Sequence, residues 1–214
     1  MGTDTTQVII FDCDGVLFDS KDANIAFYNH VLSQFQLPPM TQEEVEYVHV
    51  STAEGALRYL LAMRKAPHVL EEFLSHRPSM DYTPFIHLMQ MEPNLKELLG
   101  TLPRHFKRAI ATNRSYTIGD VLRVHGLEGE FHLVISALDV KNPKPHPEPI
   151  LKIIRHFSFS PSEALFVGDS EVDQESAQGA GVPFVAYKNR SLQADYYIDD
   201  LLTIREIINQ GEAG

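Results

Sequence analysis

The sequence predicts an α/β protein: a mostly parallel sheet flanked by helices, with an all-helical subdomain inserted after the first strand. Three observations carry the prediction. The runs Val8-Ile9-Ile10-Phe11, Arg108-Ala109-Ile110-Ala111 and Ala164-Leu165-Phe166-Val167 do not alternate with polar residues, as expected of parallel strands buried on both faces. Helix-period segments follow the second and third of them, the rhythm of a βαβ fold. Between the first strand and the next, roughly residues 17 to 90 hold several helix starts and no strand-like run, which is too long for a simple crossover. The expected division is residues 1–16 and 91–214 for the sheet domain and 17–90 for the insert.

Each element has its own signal. Met1 to Thr6 reads as a loose tail, although Met1-Gly2-Thr3-Asp4-Thr5-Thr6 formally fits a myristoylation pattern. The first strand stops at Asp12. Ser20 is placed to cap a helix whose apolar positions Ala23, Phe27, Val31 and Phe35, with Tyr28 and Leu32 beside them, repeat at helical spacing up to Pro38-Pro39. Thr41-Gln42-Glu43-Glu44 and Ser51-Thr52-Ala53-Glu54 both spell capping boxes, and Pro67, Pro78 and Pro84 punctuate the remainder of the insert. After Pro93 come a helix from Asn94 to about Leu102, the strand ending at Ala111, and a helix from about Thr117 to His125 that Gly126 closes. Leu133-Val134-Ile135 is the next strand. In Lys141-Asn142-Pro143-Lys144-Pro145-His146-Pro147-Glu148-Pro149, alternating prolines stiffen the loop before a helix beginning near Glu148. Ser160-Pro161-Ser162-Glu163 precedes the strand 164–167, and a helix to Ala180 closes at Gly181. Phe184-Val185-Ala186-Tyr187 and Tyr196-Tyr197-Ile198 are late strands, followed by a helix from Leu201 to Asn209.

Composition sets outer bounds. A chain of 214 residues, 43% hydrophobic, can bury a proper core. Its net charge of −11 argues against nucleic acid or an anionic membrane surface as partner. An anionic substrate must then be held by local cations or a metal. Cys13 is the one cysteine, so no internal disulfide forms. No apolar span suits a bilayer and no basic leader precedes an apolar stretch, so a cytoplasmic protein, monomer or homodimer, is expected.

Polar residues collect where strands end. Asp12 and Asp14 follow the first strand, and in an open α/β sheet the carboxyl edge is where ligands bind. Two carboxylates there repel, and a hard divalent cation such as Mg²⁺ relieves the repulsion. Thr112-Asn113-Arg114 follows the second strand, and Gly168-Asp169-Ser170, with Asp173 beyond, follows the strand 164–167. Lys144 is offered from the proline-framed loop. Singly, each is an ordinary turn or cap residue. Together, carboxylates, one hydroxyl and one cation at a single sheet edge are what phosphoryl transfer needs, because that chemistry rests on charge neutralisation and positioning.

In these stretches the sequence resembles the haloacid dehalogenase superfamily of phosphohydrolases, in the branch whose helical cap follows the first motif. Asp12-Cys13-Asp14-Gly15-Val16, Thr112-Asn113, Lys144-Pro145-His146-Pro147-Glu148, and Gly168-Asp169-Ser170 with Asp173 match its four motifs in order. The resemblance implies a Rossmann-like core and a Mg²⁺-dependent phosphatase acting on a small phosphorylated metabolite, such as phosphoglycolate or a sugar phosphate. It further implies Asp12 as nucleophile, Asp14 as acid and then base, and Thr112, Asn113 and Lys144 around the phosphoryl group. Mg²⁺ would be held by Asp12, the Asp14 backbone carbonyl and Asp169, with Asp173 as ligand or support. Arg114 is expected near the substrate, and His49, Arg58, Arg64 and Lys65 are the cationic candidates of the insert. A phosphomutase of the β-phosphoglucomutase kind shares all four motifs and is the rival reading. A receiver-type signalling module is disfavoured by the insert, and a dehalogenase by the second carboxylate, Asp14.

Overall fold

The computed structural model describes residues 6–66, 69–70 and 81–212, without the side chains of residues 49, 50 and 210–212. The tail before Thr6, Pro67 and Pro78 lie outside the described residues, as does the side chain of His49. Strand β1 (Val8–Phe11) lies between β4 (Lys107–Ala111) and β6 (Ala164–Gly168), and β5 (Leu133–Ile135), β7 (Phe184–Tyr187) and β8 (Tyr196–Ile198) extend the sheet outward. The order is β5-β4-β1-β6-β7-β8, with every pair parallel. Alternate side chains of β1 enter two separate cores. Val8 and Ile10 pack with Ile150, Phe166 and Ala177, whereas Ile9 and Phe11 pack with Leu95, Val167 and Ile204. That double burial is the reason the strand reads as continuously apolar.

Helices α4 (Leu95–Thr101), α5 (Ile118–Val124), α6 (Glu148–Phe157), α7 (Glu171–Ala180) and α8 (Ile204–Glu212) flank the sheet. The apolar stripe Ile150, Ile153 and Ile154 of α6 is buried, and α7 ends at Gly181 in the left-handed region, φ +69°. The Lys144–Pro145 peptide is cis. Among the described residues no helix is long and apolar enough to cross a membrane.

Between β1 and β4 stand α1 (Lys21–Gln34), α2 (Gln42–Val50), α3 (Ala53–Met63) and a 3-10 turn, Thr83–Leu88. The sequence showed no strand in this stretch, yet β2 (Phe18–Asp19) and β3 (Gln90–Met91) form an antiparallel ladder where the chain leaves and re-enters the sheet region. Two residues per strand are too few to display alternation. Two cap expectations also change. Ser20 precedes α1 but makes no side-chain cap bond, and the Asp19 carboxylate accepts from Lys21 N instead (3.1 Å). Thr52 rather than Ser51 caps α3, accepting from Gly55 N, while Ser51 donates to the Tyr47 carbonyl. The box at Thr41 forms as expected: Thr41 Oγ1 accepts from Glu44 N and Glu44 Oε2 from Thr41 N.

Candidate active site

The three central strands end together. Phe11 pairs with Ile110 on one side and Val167 on the other, so Asp12, Thr112 and Asp169 leave the sheet side by side. Backbone bonds fix the exits: Asp12 N donates to Val167 O (2.9 Å) and Thr112 N to Ile135 O (3.0 Å). Gly15 turns the chain away at φ +84°, and a Cβ there would stand 2.1 Å from an oxygen of Asp169. Gly168 is needed for a similar reason, since its Cβ would meet that of Asp173 at 2.4 Å.

Lys144 enters this cluster from the proline-framed loop and is buried. Its ammonium lies 2.8 Å from Asp12 Oδ1 and 2.6 Å from Asp173 Oδ1. Asn113 donates from Nδ2 to the Lys144 carbonyl (3.0 Å), which ties that loop to the end of β4. The other oxygen of Asp173 accepts from Ser170 Oγ (2.7 Å) as part of the N-terminal box of α7. Asp12 Oδ1 accepts from Cys13 N (2.6 Å). One carboxylate oxygen from each of Asp12, Asp169 and Asp173 lies within 4.8 Å of the others. Burial pushes the carboxyls of Asp12 and Asp169 up, and the neighbouring acids add to it while Lys144 opposes. Burial by itself would lower the Lys144 ammonium, but Asp12 and Asp173 more than offset it and hold it charged.

Asp14 points elsewhere. Its carboxylate is gripped from two sides by Arg114, through Nη2 at 2.5 Å and Nε at 3.1 Å. The pair is partly buried, with side-chain exposures of 6% for Arg114 and 14% for Asp14. Arg114 also donates to Thr117 Oγ1 (3.1 Å) and reaches Tyr82 Oη (3.4 Å) and Asn24 Oδ1 (3.5 Å). Tyr82 donates to Asn24 Oδ1 (2.7 Å), and burial pushes its phenol up to about 12, so it keeps that proton. Sequence reasoning missed Asn24 and Tyr82. Asn24 lies in the first turn of α1 and Tyr82 just before the 3-10 turn, and nothing local marks either as facing residue 114.

These groups open into one cavity of about 580 Å³ between the sheet edge and the insert, lined by Asp12, Asp14, Thr112, Asn113, Arg114, Lys144 and Asp169. Asp173 lies beneath it, fully buried. Of the cationic candidates of the insert, Arg58, Arg64 and Lys65 are not among the residues that line it. Arg58 pairs with Glu54 on the exposed face of α3. Lys65 stands at φ +53° just past α3 and does not line the cavity. Arg64 is a buried clamp: it donates to both oxygens of Glu44 and to the carbonyls of Pro38, Pro39 and Leu60.

A family model described as haloacid dehalogenase-like hydrolase matches residues 9–187. A crystal structure of a HAD-superfamily hydrolase, subfamily IA, variant 1, from Geobacter sulfurreducens PCA is 40% identical with a TM-score of 0.79, covering 94% of this chain and 99% of that one. A phosphoglycolate phosphatase of Haemophilus influenzae (strain 86-028NP) is 29% identical over 188 residues, 84% of each chain. The pyrophosphatase PpaX of Bacillus pumilus (strain SAFR-032) is 28% identical over 194 residues, 85% of this chain and 82% of the relative.

Proposed function

The chain belongs to the haloacid dehalogenase-like hydrolases, and from that premise we propose that it is a Mg²⁺-dependent phosphatase that cleaves a small phosphomonoester through an aspartyl phosphate on Asp12. The observation that carries the reading is Lys144: a buried ammonium within 2.8 Å of Asp12, at the floor of a cavity large enough for a metabolite. A fixed cation there offsets charge on both the nucleophile and the incoming phosphoryl group. Names of relatives add support, since two are called phosphoglycolate phosphatase and pyrophosphatase.

The cluster fits Mg²⁺, because its donors are hard carboxylate oxygens close enough to share one ion. Asp12, the Asp14 backbone carbonyl and Asp169 would hold it. Asp173, with one oxygen on Lys144 and the other on Ser170, supports them more than it ligates. Bound there, Mg²⁺ would neutralise the carboxylates and the transferring phosphoryl group. The chain's own residues do the rest. The Asp12 carboxylate attacks phosphorus as the ester oxygen leaves with a proton from Asp14. In the second half, Asp14 takes a proton from water as that water attacks the phosphorus, which frees inorganic phosphate and restores Asp12. Thr112 and the Asn113 N–H hold phosphoryl oxygens. Arg114 keeps the Asp14 carboxylate at the cavity wall, with one bond to each oxygen.

Phosphate release from a panel of phosphomonoesters, with and without Mg²⁺, tests the activity, and transfer back to a sugar phosphate instead of to water would favour the mutase. Asp12→Asn should abolish turnover even of an activated aryl phosphate. Asp14→Asn, lacking the base, should accumulate one phosphoryl group on the protein, visible by mass spectrometry after acid quench and lost on hydroxylamine treatment. A label that persists in Asp12→Asn would remove Asp12 as nucleophile.

A further inference from the structure

We infer that the cavity is built for a phosphomonoester whose leaving group is uncharged, apolar and about the size of an aromatic ring. This rests on the phosphomonoester reading and deepens it by naming the substrate class. The apolar part of the lining from the insert is Phe27, Tyr28, Val48, Leu57 and Tyr82, beside the polar Asn24, Ser51 and Thr52, and Leu138 continues it from the sheet domain. Phe27 and Tyr82 stack edge to face at 5.0 Å, and Phe27 and Tyr28 at 5.1 Å, so the aromatic surface is fixed rather than collapsible.

The charges agree. A second anion on the substrate would need a cation of its own, since an unpaired charge in such a place is costly to desolvate. Lys144 is held between Asp12 and Asp173 and serves the phosphoryl group. Arg114 is spent on Asp14 and Thr117. Among the described residues the insert contributes one charged side chain to the lining, Glu54, an anion paired with Arg58; from the sheet domain Lys141 also lines the cavity, exposed to solvent. Size points the same way. A volume of about 580 Å³ is more than a two-carbon acid phosphate fills and leaves room for a ring. Phosphoglycolate and pyrophosphate, the compounds in the names of two relatives, carry a carboxylate or a phosphate in the leaving group, so the inference separates this chain from both names.

The test compares kcat/KM for benzyl phosphate, 2-phosphoglycolate and inorganic pyrophosphate on the Mg²⁺-loaded protein. Benzyl phosphate and phosphoglycolate are both esters of primary alcohols, so chemical reactivity does not decide between them. Benzyl phosphate should lead by about tenfold or more, from apolar surface taken out of water. Two variants locate the effect. Glu54→Lys, at an exposed position, should raise phosphoglycolate relative to benzyl phosphate, and Val48→Thr, which keeps the side-chain shape, should lower benzyl phosphate. Phosphoglycolate or pyrophosphate equal to or better than benzyl phosphate in the unsubstituted protein overturns the inference while leaving a phosphatase. A benzyl preference that neither variant shifts also overturns it, because this wall would then not be the leaving-group site. No hydrolysis of any ester with Mg²⁺ is a separate result, which removes the phosphatase reading and this inference together.

Discussion

Gly15 shows how tightly single residues are bound into this site. Its φ of +84° is one that alanine holds only under strain, of about 1–3 kcal/mol. The neighbour of the missing Cβ is the carboxylate of Asp169, at 2.1 Å, so a methyl group displaces a proposed metal ligand as well. Gly15→Ala should therefore fold with a modest loss of stability, yet lose Mg²⁺ affinity by about 10–100-fold, the scale seen when a ligand's support is removed. Calorimetric titration of Mg²⁺ against the variant checks it, and unchanged affinity would mean that Asp169 does not hold the metal. The residues of the four motifs were legible because each stands directly after a strand or in a proline-framed loop, where short sequence patterns carry position. The Arg114–Asp14 pair was not legible. Those residues are 100 apart in the chain, and no local rule says that a guanidinium following one strand will turn onto the carboxylate following another.

At the scale of elements, the helices of the insert are held by a buried ion pair rather than by propensity alone. Arg64, just past α3, binds Glu44 in the first turn of α2 at 2.7 Å, with both side chains 6% exposed, and uses its remaining donors on three carbonyls. The sequence offered Arg64 as a cation for the substrate, whereas the structure buries it against its own backbone. The hydrogen bonds from Arg64 hold the Glu44 carboxyl below its ordinary range, opposing the cost of burial. A depressed carboxyl contributes stability that is fully present above its unfolded value, about 4.3, and is lost as pH falls through the folded value. Glu44→Gln should accordingly cost on the order of 3 kcal/mol at pH 7, where it leaves a buried guanidinium without its counter-charge. The deficit should shrink as pH falls through the folded value of Glu44, where the parent protein loses that charge as well. Urea unfolding of both proteins across a series of acid pH values measures this, and a constant gap throughout would show that the charge is irrelevant to the clamp. Capping boxes such as Thr41-Glu44 are visible in a sequence because a few consecutive residues contain them. The clamp spans 20 residues, and the β2–β3 ladder joins segments some seventy residues apart, so neither leaves a local trace.

For the whole molecule, the fold gathers acids at one point of an already acidic chain. Net charge is −11, and Asp12, Asp169 and Asp173 crowd together at the carboxyl ends of the central strands, with Lys144 as the one cation bonded within the cluster among the described residues. Burial and mutual repulsion raise the carboxyls of Asp12 and Asp169, so keeping both ionised costs energy that the fold does not itself offset. Such a site costs stability until a cation enters, and the cation then stabilises the native state by mass action. A concentration of Mg²⁺ a hundred times its dissociation constant adds about 2.7 kcal/mol, if the unfolded chain does not bind it. For a chain of this length each kcal/mol raises Tm by roughly 2–4 °C, so saturating Mg²⁺ should lift the melting midpoint by about 5–10 °C. Asp169→Asn removes one charge from the cluster and one ligand. Its melting point without metal should equal or exceed that of the parent protein, because the repulsion is relieved, and its response to Mg²⁺ should largely disappear. Differential scanning calorimetry with EDTA and with Mg²⁺, on both proteins, separates the two effects without any assay of activity. An equal rise in both proteins would place the cation somewhere other than this cluster, and a variant less stable than the parent in EDTA would show that Asp169 is held by bonds stronger than the repulsion it suffers.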